Sequence, residues 1–567
     1  MQRAAPAALA ALLLAAPLRA SAAQNVCAGR PIRRITIHTA PVTDVEGRRF
    51  PPLIQGVANA ISWQTHPDVV RRELRFAEGD RCDPERLRES ARVLRSPGYI
   101  RSAVITTRLV RGDSVDVDVV TRDDWALGGS VAVNASGPRA LRAIQITEND
   151  LFGRGMLGQV HYDYYGRHAG LVFDVLDRQF MGSRTDAEVV AGRSSVGPDW
   201  ELSFRRPFES EYDRVGWRAA VRYREEPFSM VSTVFGSAAQ PLVSTGAELA
   251  TIGRIGRRGK QLVAGLALSV ERLFITDQVL ASDPAQDSAA AAALQGRFTE
   301  RRRVAASFML GARDVRFVTR SGVDAVNATE DIREGVEVLA IAGHTLGSGG
   351  GLQHDVFGLA DLYVGAEFGD HSLGFLRGRI EGRRLLDTDA WDDVIGAVDA
   401  FLYTGVGERG GMVFTAQGAG GWHTTAPFQL VVSSPRTMRG FGLSALPAGQ
   451  RVVVQAEHRY FLGTLFGALD LGTAAFVDVG RGWAGDAPFG ENTGTLVAAG
   501  GGLRIGFPSG SRLTTRLDLA VPLRGGKGVE FRLTVGRQFG ISAPAPDDVE
   551  RSRMPISTID LFSFQRY

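Results

Sequence analysis

The chain has 567 residues, 44% of them hydrophobic, with 68 glycines and two cysteines. That composition excludes a disordered chain and a scaffold built on disulfides. Lys and Arg number 65 against 62 Asp and Glu, a formal net charge of +3, which gives no electrostatic case for a nucleic-acid partner.

The first residues, MQRAAPAALAALLLAAPLRASAAQN, place one early arginine before an apolar run from Ala4 to Ala16 and small residues at Ala20-Ser21-Ala22. This is a secretory signal pattern over residues 1–22, and the apolar run is too short for a retained membrane span. The expectation is an exported chain of about 545 residues, more than one ordinary core accommodates, so several domains or one very large sheet. No later apolar run reaches the length of a transmembrane helix. Cys27 and Cys82 are expected to pair in an oxidising compartment, although sequence alone does not supply the geometry.

Residues 23–124 mix periods. RPIRRITIHT, with Ile32, Ile35 and Ile37, reads as a strand. HPDVVRRELRF places Val69, Val70 and Leu74 on one helical face, and DPERLRESARVLRSPGYI does the same with Leu87, Ala91 and Leu94. Asp83 before Pro84 is a helix start, and Pro97-Gly98 a stop. SAVITTRLV and DSVDVDVVTRDDW then read as two strands, the second setting Val115, Val117 and Val119 against Asp116 and Asp118. Strand, helix, helix, strand, strand predicts a small α+β domain.

From Trp125 the helical period gives way to period 2 for some 400 residues. DRVGWRAAVRYRE sets Val215, Trp217, Ala219, Val221 and Tyr223 against Arg214, Arg218, Arg222 and Arg224. SRLTTRLDLAVPL sets Leu513, Leu517, Leu519 and Val521 against Arg512, Thr514, Arg516 and Asp518. A soluble sheet also alternates, but repeated charges on the polar face fit a membrane barrel with an apolar outer band and a wet lumen. Only a closed sheet can span a bilayer without orphan backbone groups. At roughly 26 residues per strand and loop, residues 125–540 predict about 16 antiparallel strands, an even number. TDQVLASDPAQDSAAAAALQGRFTE and RSGVDAVNATEDIREG read as outer loops, making Arg320 a solvated loop charge, and residues 541–567 as a tail on the side where the chain enters.

SPRTMRGFGLSALPAGQ, residues 434–450, sits between two alternating segments. In the next, GQRVVVQAEHRYFLG, Val452, Val454, Ala456, His458 and Tyr460 point outward and Arg451, Val453, Gln455, Glu457 and Arg459 inward. In LFGALDLGTAAFVDVGRGW, Asp470, Phe476 and Asp478 point inward. Glu457 and Asp478 therefore share a lumen. A loop folded into the barrel would bring Arg439 to both carboxylates, a charge-assisted pairing able to fix it. On spacing alone, a solvated Arg439 is the simpler expectation.

TMRGFG, QAEHRY and FVDVGRGW, in that order, resemble the C-terminal half of the outer-membrane assembly-factor superfamily, the BamA- and TamA-type barrels and bacterial surface antigens. In that family a lumenal loop carries V/L-R-G-F/Y, and the following strands carry E-x-R and F-x-D-x-G. The match falls on Arg439, Gly440 and Phe441, on Glu457 and Arg459, and on Phe476, Asp478 and Gly480. Five strand-like segments follow the loop, TENDLFGRGM resembles the family's early strands, and residues 23–124 resemble one periplasmic POTRA domain. Met438 departs from the family's Val or Leu, only one POTRA-like unit fits, and 28 residues run past the last predicted strand.

The resemblance implies a bacterial outer-membrane protein acting in assembly, insertion or translocation of proteins. Its partners would be the bilayer, client outer-membrane or exported proteins, and periplasmic or lipoprotein subunits. A passive pore or surface antigen is the alternative. Enzyme chemistry is not expected: GRIGRRGK fails as a phosphate loop, G-x-S-x-G and H-E-x-x-H are absent, and the nine histidines lack ligand spacing, so neither cofactor nor metal is expected.

Overall fold

A computed structural model describes residues 27, 29–45, 52–110, 112–133, 141–165, 168–281, 283–346, 352–407, 409–442, 445–536 and 547–552. The expected signal peptide lies outside them.

The N-terminal unit is a three-stranded sheet covered by helices. Its strands are β1 (Ile32–Ala40), β2 (Ile100–Val110) and β3 (Ser114–Asp123), with β3 central, parallel to β1 and antiparallel to β2. Three helices lie between β1 and β2, not two: α1 (Pro52–Ile61), α2 (Pro67–Glu73) and α3 (Pro84–Arg95). Asp83 caps α3 by accepting from the Glu85 amide at 2.9 Å, with Pro84 in the first turn. Alternation along β3 buries Val115, Val117 and Val119 against Ile32, Ile35, Val70, Leu74, Leu87 and Leu94. Cys27 and Cys82 form a disulfide, tying the approach to β1 to the approach to α3.

The second unit is a closed barrel, first strand Leu127–Val133 and last strand Glu530–Gly536 lying side by side. It contains twenty long strands among the described residues, with a two-residue strand, Leu280–Ala281, alongside. The expected count of about 16 is thus too low. Many connections are tight, such as 233–235, 257–259 and 466–468, so each strand takes less chain than was allowed. An even count returns the chain to the end where it entered.

Parity fixes both faces. Leu262, Leu266, Leu268 and Val270 on one strand, and Phe531, Leu533 and Val535 on another, face outward and are each more than half exposed. Inward positions pair charges instead: Arg218 with Glu201 at 3.1 Å, Arg379 with Asp361 at 2.7 Å, and Arg313 with Glu337 at 3.0 Å. No helix among the described residues is long and apolar enough to cross a membrane.

The small domain seats against one mouth of the barrel. Arg75 donates to Glu209 at 2.9 Å, Arg95 grips Asp331 at 2.6 and 2.8 Å, and the Gln179 amide donates to Glu73 at 2.8 Å. The Arg512 guanidinium reaches the Ile100 carbonyl at 2.8 Å. Asp331 shows that the stretch RSGVDAVNATEDIREG is not an outer loop. Strands Arg301–Ser321 and Thr329–Thr345 extend into it from both sides, and the turn between them lies at the small-domain mouth. Its polar letters are rim and lumen positions. Arg320 accordingly lies in a strand, paired with Glu367, and is not a solvated loop charge. The stretch 276–300, with its helix Asp287–Leu294, is at the opposite end.

Candidate functional site

The loop joining strands Gly410–Trp422 and Gln450–Leu465 turns into the lumen. Its two arms pair as a short ladder, Leu430–Ser433 with Ala445–Ala448. Between them Met438 is fully buried among Val432, Ala448, Val453, Leu496 and Ala498. The wall below the loop carries Gly480, where a side-chain carbon would lie 2.7 Å from the Met438 sulfur, so glycine makes room for the loop.

Arg439 is 4% exposed and meets several partners at once. Its amide donates to Asp478 at 3.0 Å, its Nε and Nη2 fork onto both Asp478 oxygens at 2.8 Å, and Nη1 donates to Glu457 at 2.7 Å. Asp518 lies 3.7 Å from Nη1, and the guanidinium carbon sits 3.4 Å from the Phe476 ring centroid. Ionised hydrogen bonds in fork geometry, closed on one face by an aromatic ring, are the strongest arrangement open to arginine.

The carboxylates are held in turn. Glu457 accepts from Arg459 at 3.0 Å and from Arg504 at 3.1 Å, and Arg504 also donates to Asp518 at 2.6 Å. Arg439, Arg459 and Arg504 thus face Glu457, Asp478 and Asp518, with Arg516 a fourth cation beside Glu457 and Asp518, and each buried carboxylate has at least one arginine as partner, as burial of charge requires. Beside it Gly440 has φ +92°, a left-handed conformation that favours glycine, and its amide donates to Glu530. Phe441 packs at the edge of the Met438 cluster. Arg532 donates to the carbonyls of Ser434 at 2.7 Å and Met438 at 3.2 Å, pinning the loop backbone to the last strand.

The structure therefore brings Arg439, Gly440, Glu457 and Asp478 together, with Phe441 adjacent, and places Cys27 and Cys82 far off in the small domain. Arg504, Asp518, Glu530 and Arg532 belong to the same site and were not singled out. Their inward parity was readable, but period 2 does not say which of many inward charges faces the loop. Among the described residues no group of three or more His, Cys, Asp or Glu could hold a metal ion.

No protein-family model and no curated protein matches the chain. Among solved structures it is similar to CdiB from Escherichia coli, at 13% identity and TM-score 0.41 over 90% of this chain and 75% of that one. It is similar to BamA from Haemophilus ducreyi lacking POTRA domains 1–3, at 13% identity and TM-score 0.32 over 89% and 83% of the two chains. Pseudomonas aeruginosa OpdL also matches, at 12% identity and TM-score 0.31 over 72% of this chain and 94% of that one.

Proposed function

We propose that the chain spans the bacterial outer membrane as a barrel, with the small domain as a POTRA-like unit at the periplasmic mouth, and that it acts in assembly, insertion or translocation of proteins there. The observation that carries the reading is the lumenal loop fixed through Arg439 to Glu457 and Asp478. Here a whole loop is committed to one buried socket. The outward band of leucine, valine and phenylalanine against a charged lumen supports the membrane placement. In the small domain β2 is an edge strand with Val104 and Leu109 exposed, a surface suited to capturing an extended client segment by strand addition.

The alternative, a passive channel or surface antigen, draws support from the count of twenty strands, which departs from the 16-stranded family the motifs resemble. Depletion of the protein followed by a quantitative census of outer-membrane barrels separates the two. The assembly reading expects a subset of barrels to fall in abundance as the protein disappears. An unchanged census with altered solute uptake would establish the passive channel instead.

A further inference from the structure

Helix 547–552 does not lie at the small-domain mouth, where the tail was expected: Asp548 accepts from the Val431 amide of the lumenal loop at 2.9 Å. The described occupants of that mouth are the small domain and the barrel's own turns. Three of these turns share a local sequence, Phe152-Gly153, Met181-Gly182 and Phe466-Gly467. The His66 amide donates to the Gly153 carbonyl at 2.8 Å, and Arg184, close to Met181, donates to the Leu74 carbonyl at 3.0 Å. At the third turn the Ser509 amide donates to Ala468 at 2.7 Å, three residues before the Arg512 that reaches the small domain.

In each pair both residues are left-handed: φ is +60° and +68°, +52° and +74°, and +51° and +69°. Two left-handed residues in a row make the tight turn that matches strand twist, and Asn-Gly or Asp-Gly ordinarily fills it. A bulky side chain is strained there. The strained side chains are also the exposed ones, Phe466 at 92%, Met181 at 88% and Phe152 at 61%. Among the described residues nine non-glycines are left-handed. Asp113, Asp389, Asp393 and His423 are polar, and Leu446 and Phe489 are half-buried. The other three are these tips, all at one mouth. Folding gains nothing from an apolar group that is both strained and in water, which points to a partner outside the chain.

The wall identifies the partner. Trp200, Leu202 and Phe204 share the outward parity of the sixth barrel strand, and the Phe180 ring lies 5.7 Å from that of Phe204. The turn carrying Met181 is therefore folded against the lipid-facing side. Arg206, the next outward residue, is exposed, as is Arg154 two residues after Phe152. Leu462 and Leu465 lead the outward band into Phe466. Trp63 of the small domain, half-exposed, meets the Phe152 ring edge-on at 5.3 Å. The tips stand after the second, fourth and sixteenth of twenty strands, so what touches all of them surrounds the barrel. Apolar ends on an outward band, with arginines beside two of them, match the acyl–headgroup boundary of a bilayer containing anionic phosphates.

We propose that Phe152, Met181 and Phe466 enter the periplasmic leaflet as wedges, that Trp63 enters with Phe152, and that the small domain is thereby seated on lipid as well as on the barrel. The proposal rests on the membrane-barrel reading but on neither assembly nor passive transport. The test folds the full chain into vesicles of phosphatidylethanolamine and phosphatidylglycerol, with an environment-sensitive dye on one introduced thiol. Met181→Cys and Phe466→Cys should lose about half their fluorescence to lipids spin-labelled just below the headgroup. Asp113→Cys, on an exposed turn of the small domain, should lose little. Leu266→Cys, outward and mid-strand, should be quenched best by a label deep in the acyl chains. A second measurement needs no substitution: photoreactive phosphatidylglycerol should cross-link to wild-type peptides containing Trp63, Met181 and Phe466, and not to the one containing Asp113. Tips quenched and cross-linked no more than Asp113, with Leu266 quenched as expected, would overturn the wedges and leave the barrel reading standing. An unquenched Leu266 would overturn the barrel reading, and the wedges with it.

Discussion

At the lumenal loop one arginine carries most of the attachment. Arg439 gives three hydrogen bonds to Asp478 and one to Glu457 and lies on Phe476, all within a buried cluster of arginines and carboxylates. Where the small domain meets the barrel, polar contacts are instead spread over Arg75 and Arg92, which both reach Glu209, Arg95, which reaches Asp331, and Gln179 and Arg512, which reach back to Glu73 and Ile100. Arg92 shows the pattern: it holds Glu89 at 2.8 Å and also donates to the Glu209 carbonyl at 2.8 Å. Burial raises the Glu89 pKa, but Arg92 and the Glu211 amide outweigh it and bring the carboxyl down to about 2. Concentrated attachment should fail at a single substitution, whereas distributed attachment should yield gradually.

The largest effect is therefore expected at Arg439. Arg439→Ala leaves Glu457, Asp478 and Asp518 with one cation fewer, and breaking a buried pair on one side costs about 3–5 kcal/mol. The cost falls on the loop and not on the strand ladder, so the barrel should still form. The folded band on gels should lose heat resistance, and protease should cut within residues 434–450. Arg439→Lys should rescue poorly, because an ammonium cannot fork onto Asp478 and reach Glu457 together. The exposed Arg436 of the same loop is the control. If Arg436→Ala and Arg439→Ala lose equal heat resistance, attachment is not concentrated at Arg439.

Gly440→Ala comes next. At φ +92° a side chain costs about 1–2 kcal/mol, and its carbon would lie 2.9 Å from the Ala498 side chain. The expected readout is a smaller fall in heat resistance, with protease sensitivity confined to the loop. Wild-type resistance in Gly440→Ala would mean that the loop adapts and is not rigidly socketed.

At the junction the comparison predicts shallow effects. Arg95→Ala removes two charge-assisted bonds to Asp331, a contribution of about 1.5–3 kcal/mol for hydrogen bonds to charged groups before partial exposure reduces it. Hydrogen exchange should quicken around residues 95 and 331 while the domain stays docked. Complete undocking by this one change would show the junction to be as concentrated as the loop socket.

The difference between the two regions also decides how much could be read from sequence. Period 2 gave the barrel, and parity alone placed Glu457 and Asp478 inside, because alternation is a local property of a strand. Strand number was not legible, since it depends on turn length, and RSGVDAVNATEDIREG shows strand ends as polar as any loop. The unforeseen helix of the small domain, α1 with PLIQGVANAI, lacks the charged face that marked the other two. Asp518 and Arg504 were visible as inward charges, but their meeting depends on which neighbouring strands curve towards the loop. DDVERS reads as linker because its burial depends on a charged lumen that no local pattern reveals.

The smallest effect, a pH slope, tests the junction as a distributed attachment in which one member is not an ion pair. Asp123, at the end of β3, is buried and accepts from the Thr65 amide at 2.9 Å and hydroxyl at 2.7 Å. That hydroxyl also lies 2.8 Å from the carboxylate of Asp150 on the second barrel strand. Burial pushes the Asp123 pKa up to about 7, against the Thr65 hydrogen bonds, with the Asp150 charge adding to the rise. The ordinary value in an unfolded chain is about 3.9. The folded state therefore holds its proton longer, and its stability contribution is complete below about pH 4 and is lost as pH rises through about 7. The slope is at most about 1.4 kcal/mol per pH unit in that window. Exchange protection of the amides at Thr65 and Asp124 should fall between pH 5.5 and 7.5 (on the order of tenfold per unit at most), once the intrinsic pH dependence of exchange is removed. Asp123→Asn should flatten that profile while leaving the Arg439 loop untouched. An equal slope in wild type and Asp123→Asn would assign the pH dependence to another group and remove Asp123 from the junction's account.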